Sequence, residues 1–111
     1  MQKILAFSVL VLSLSGCSSL MSSAATGLAD NVSGAMFNQV DPETARDALP
    51  TFIVLLDSFL EDDPYDPAIL SSGAQMYATY GAVFADDEVR ASRLTRRARS
   101  YAQTAMCVTS E

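Results

Sequence analysis

The chain has 111 residues, half of them hydrophobic, with 7 basic side chains against 13 acidic ones and a net charge of −6. It contains no histidine, which excludes imidazole bases, Ser-His and Cys-His nucleophile pairs and His-containing zinc sites, and its two cysteines are too few for a Cys₄ site. The acidic balance disfavours general nucleic-acid binding, which needs Lys and Arg to displace counterions from phosphates. The length allows one domain at most, and the composition leaves a binding, carrier or structural role and no enzyme signature.

Residues 1–16 read as a lipoprotein signal peptide. Lys3, the one lysine, is followed by a short apolar run from Ile4 to Leu14 and then by Leu14-Ser15-Gly16-Cys17. A charged start, a short apolar segment and small residues before a cysteine form a secretory leader ending in a lipobox. The apolar run falls short of the roughly 20 residues that span a bilayer. Cys17 is therefore the expected lipidation site, and its covalent lipid is the only prosthetic group expected. Several acyl chains on one residue anchor stably where one is marginal. Ser18, in place of an aspartate after the cysteine, points to the periplasmic face of the outer membrane of a Gram-negative bacterium. Removing the leader also removes Lys3 and leaves six arginines against the 13 acids. Cys107 is then the remaining thiol. It is read as a small core residue, with a cysteine on another chain or beyond this segment as the alternatives.

Residues 17–40 form the lipidated N-terminus and an amphipathic helix or tether. Met21, Ala25, Leu28, Val32, Met36 and Phe37 recur near every fourth residue, and Gly27 and Gly34 weaken the helix. Asp41-Pro42-Glu43 then gives an N-cap acid, a proline at the first helical position and an acid in the first turn. Ala45, Ala48, Leu49, Phe52, Ile53, Leu55, Leu56, Phe59 and Leu60 fall on one face of the helix that follows. Arg46, Asp47, Asp57 and Ser58 fall on the other. Pro50 is expected to kink this helix or divide it. The acidic run Glu61 to Asp66 lacks the spacing and glycine of a calcium loop and reads as a solvated turn, with Asp66-Pro67 capping the next helix.

That helix is expected over 67–84, with Leu70, Ala74, Tyr77, Gly81 and Phe84 on its stripe and Ile69, Gly73 and Tyr80 beside it. Its small residues would admit a neighbouring helix. Tyr77, Tyr80 and Phe84 are either packing aromatics or a ligand cluster, and packing is the better reading. The last helix starts at Asp86-Asp87-Glu88 and buries Ala91, Leu94, Ala98, Tyr101, Ala102 and Ala105. Arg90, Arg93, Arg96, Arg97 and Arg99 are read as lying opposite Leu94 and Ala98, as a solvated face or as a partner surface. No metal site is identifiable.

The fold class is all-α, with about four helices after the signal peptide in antiparallel pairs. Asp66-Pro67, Leu70, Gly73, Ala74, Tyr77, Ala91 and Ala98 approximate the tetratricopeptide pattern, in which small residues let paired helices touch and large ones lock them. The ordered series runs from Ser15-Gly16-Cys17-Ser18-Ser19 through Leu28-Ala29-Asp30-Asn31 to the segment from Asp41 to Pro50. It continues with Leu55-Leu56-Asp57-Ser58-Phe59, Asp66-Pro67-Ala68 and the segment from Arg93 to Ala102. As a whole it resembles the T component of tripartite ATP-independent periplasmic (TRAP) transporters.

The resemblance implies a tetratricopeptide-like solenoid, of which residues 41–111 are the N-terminal part. It also implies a homotrimer that docks the periplasmic solute-binding protein and passes small ligands. The alternative is a tetratricopeptide-type assembly or pilotin lipoprotein that scaffolds a partner protein.

Overall fold

The computed structural model describes residues 1–110, with side chains for residues 1–4 and 23–110. The side chain of Cys17, the expected lipidation site, lies outside the described residues. Four helices follow one another: α1 (Gln2–Phe37), α2 (Pro42–Asp62), α3 (Pro67–Thr79), which continues through a π-helical turn (Tyr80–Phe84), and α4 (Glu88–Thr109). Among the described residues there are no strands, and the protein is all-α. No helix among those residues is long and apolar enough to cross a membrane.

Three of the helix starts are fixed by aspartate caps at the predicted positions. Asp41 accepts from the backbone N–H groups of Glu43 and Thr44 and from the Thr44 hydroxyl. These bonds hold its carboxyl below the usual range, the Thr44 hydroxyl contributing most. Asp66 accepts from Ala68 N–H at 2.9 Å and Ile69 N–H at 3.0 Å, and Asp87 accepts from Arg90 N–H at 2.8 Å. Each carboxylate satisfies amides that have no partner inside their own helix. Pro42 and Pro67 follow two of these caps at the first helical position, where a missing N–H costs nothing. Pro50, expected to kink or divide α2, leaves it one unbroken helix.

α3 is the middle of the molecule and carries no charged residue. One side of it meets α1 and α2 around Ala29, Leu49, Ile53, Leu56, Ile69, Met76 and Tyr80. Its other side meets α4 around Leu70, Ala74, Tyr101 and Ala105. Burial on two sides explains why Ile69, Leu70, Ser72, Gly73, Ala74 and Met76 are all buried, a broader set than one amphipathic stripe. Gly73 lies against Tyr101 and Gly81 against Leu94, so α3 and α4 run antiparallel.

From Ala25 onward α1 is packed on the body, and the seam differs from the predicted stripe. Ala29 and Ser33 are buried, Ala25, Val32 and Met36 are half-buried, and Leu28 and Phe37 are exposed. The small Ala29 and Ser33 let α1 come close to its neighbours. Thr26 donates to Asp66 Oδ2 at 3.2 Å, which ties α1 to the first turn of α3. Cys107, read as a core residue, is exposed. It stands two residues past buried Ala105, about 200° further round α4, and so faces solvent.

Candidate functional site

The strongest polar constellation joins three helices at Asp57. Tyr77 of α3 donates its hydroxyl to Asp57 Oδ2 at 2.6 Å, and Tyr101 of α4 donates to Oδ1 at 2.5 Å. The two rings meet edge to face with centroids 5.6 Å apart. The Arg97 guanidinium lies 4.9 Å from the centre of the Tyr101 ring, a cation–π contact. Burial first, and then the hydrogen bond and charge of Asp57, push the Tyr77 phenol up to about 12. The same causes raise Tyr101 further. Both phenols are therefore firm donors across the physiological range, and Asp57 has each carboxylate oxygen occupied.

The helical period assigns Asp57 to the polar face of α2, and the structure corrects this. It is half-buried on the flank of the apolar face. The signal was present in the sequence: Asp57 stands four residues after Ile53 and three before Leu60, on one row of the helix.

Tyr77, Tyr80 and Phe84 do not line one cavity. Tyr77 turns to Asp57 and Tyr101, whereas Tyr80 packs on Phe84 with centroids 6.1 Å apart. The Tyr80 hydroxyl accepts from Arg90 at 3.2 Å, and the Arg90 guanidinium also lies 5.1 Å from the Tyr80 ring centre. A shallow groove of about 300 Å³ does open between α3 and α4, but Ser71, Ala74, Gln75, Ala102, Ala105, Met106 and Thr109 line it.

The five arginines of α4 divide into two groups. Arg90 and Arg97 share one helical row with Leu94 and Tyr101, at steps of four, three and four residues. They stack on Tyr80 and Tyr101, so they flank the core and do not lie opposite it, contrary to the expectation. Arg93, Arg96 and Arg99 lie on the exposed side. Asp86 is within ion-pair reach of Arg46 at 3.7 Å and of Arg90 at 3.8 Å. These solvent-exposed pairs contribute little to stability.

The fold and these contacts define an all-helical protein in which the Asp57 hydrogen bonds join α2 to α3 and α4. Residues 38–111 match the profile of the TRAP transporter T-component, and the chain belongs to that family. Neither a curated protein nor a solved structure is matched by the chain.

Proposed function

We propose that this protein is a lipoprotein of the periplasmic face of the outer membrane that docks the solute-binding protein of a TRAP transporter. The family match over residues 38–111 carries this reading, since it ties the chain to such a transporter. The lipobox from Leu14 to Cys17 supports the anchor. The absence of histidine and the use of Asp57, Tyr77 and Tyr101 in helix–helix contacts suit a scaffold that holds a partner. Passage of small ligands and assembly as a homotrimer belong to the same proposal.

Two measurements test it. Metabolic labelling with a fatty acid should mark the wild-type chain and fail on Cys17→Ser, which should also leave the membrane fraction. The purified full chain should retain the solute-binding protein encoded beside it. Absence of that binding, with capture of a secretin or barrel protein in its place, would favour an assembly lipoprotein.

A further inference from the structure

We propose that Arg93, Arg96 and Arg99 form a docking surface for a carboxylate-bearing face of a protein partner, while Arg90 and Arg97 serve the fold. The assignment rests on the docking reading above and names the face that does it.

The first observation is exposure without neutralisation. All three side chains lie on the solvent side of α4, and among the described residues no carboxylate comes within ion-pair reach of them. The chain has 13 acids, so this isolation is a matter of placement. The acids gather at helix starts and in the turn from Glu61 to Asp66, and α4 has none after Glu88. Ser92, Ser100 and Gln103, all exposed and uncharged, fill the space around the three arginines. The result is a wholly basic strip on an acidic protein, which orients an acidic partner and repels contact elsewhere.

The second observation is residue type. After Lys3 every cation in the chain is arginine. A guanidinium is a planar fork that binds carboxylates through two parallel bonds, and arginine is enriched at protein interfaces where lysine is depleted.

The third is position. Thr26 touches the first turn of α3. Arg90 packs on Tyr80, at the far end of the same helix. Fourteen residues at ~1.5 Å each set these ends about 20 Å apart. Arg93, Arg96 and Arg99 follow Arg90 along α4, which runs antiparallel to α3 and carries them back to about the level of Gly73. Among the described residues α4 packs on α3 and not on α1, so the strip is left open to a partner. Arg90 and Arg97, pinned on their tyrosines, keep α4 in register behind it.

The test is binding of the full chain to the solute-binding protein encoded beside it, measured across a range of salt concentrations. The triple variant Arg93→Glu, Arg96→Glu, Arg99→Glu should bind at least about tenfold more weakly, chiefly through slower association. Its salt dependence should also flatten or reverse. The corresponding triple change to Lys should lose less, because it keeps the charge and forfeits the fork. Arg46→Gln, on α2, should bind like the wild type. Helicity and melting of the variants should match the wild type, since none of the three side chains packs inward. Full-strength binding by the Glu variant overturns this face and leaves the docking reading standing. No binding by the wild type overturns the docking reading and this assignment together. Vesicles containing phosphatidylglycerol give the remaining arm. If the variant loses vesicle binding and keeps the protein partner, the strip is a headgroup surface and the proposal falls.

Discussion

Asp57 connects three helices with two oxygen atoms. Hydrogen bonds to a charged acceptor contribute roughly 1.5–3 kcal/mol each when well shielded, and less at a half-exposed site. Tyr77→Phe and Tyr101→Phe are each expected to lower stability by about 1–2 kcal/mol in urea denaturation. The double variant should cost more than the sum, because it leaves a half-buried carboxylate with neither donor. Additive losses would show that the two bonds act independently. Asp57→Asn should cost less than Asp57→Ala, since the amide oxygen can still accept one phenol. The tyrosines were legible in the sequence as helix-packing aromatics. Their common acceptor was not, because a helical wheel ranks residues by hydrophobicity and puts a carboxylate on the wet side by default.

At the level of elements, the α3–α4 seam depends on two glycines. A Cβ at Gly73 would stand 2.9 and 3.1 Å from carbons of the Tyr101 ring. That ring is held by its bond to Asp57 and cannot swing clear. At Gly81 the neighbours are Leu94 Cβ at 3.0 Å, Thr95 Oγ1 at 3.3 Å and the Ala91 carbonyl at 3.4 Å. Alanine gains about 1 kcal/mol of helix propensity over glycine. Overpacking typically costs about 1–3 kcal/mol and should win at Gly73. Gly34 is the opposite case, with nothing within 4 Å of its added Cβ. Gly34→Ala should therefore raise the melting temperature and Gly73→Ala should lower it, in the same thermal unfolding assay. The predicted elements fell close to their observed limits where caps and prolines mark them, at Asp41-Pro42, Asp66-Pro67 and Asp87. The π-helical turn at Tyr80–Phe84 had no such marker.

The whole molecule is organised around an uncharged middle helix with a core on either side. Met76 is fully buried against α1 and α2, and Met76→Ala should cost about 2–5 kcal/mol by opening a cavity there. The Asp57 contacts tie α2, α3 and α4 together, so their titration should be felt globally. Both phenols ionise at higher pH in the folded chain than at their ordinary value of 10. Their contribution is therefore intact below about pH 10 and is lost as pH rises through about 12. Helicity followed by circular dichroism should hold to about pH 10 and then fall, together with the rise in phenolate absorbance. The Tyr77→Phe, Tyr101→Phe double variant should be less stable at neutral pH and should lose much of this alkaline dependence. A double variant with the wild-type alkaline profile would place the sensitivity elsewhere.

The sequence by itself determined the helices, their starts and the family resemblance, because these rest on local signals: cap residues, prolines and the 3.6-residue period. It also contained the small residues at which α3 and α4 meet. Tertiary structure decided what each polar residue does. Asp57 moved from the solvated face to the junction of three helices, Arg90 and Arg97 from an open strip to the faces of two tyrosines, and Cys107 from the core to the surface. A helix's own periodicity gives the angle of a side chain about one axis. Whether a flank position meets water or a neighbour depends on where the other axes lie. In this chain those axes are set by Gly73 and Gly81 on one side of α3 and by Ala29 and Ser33 on the other.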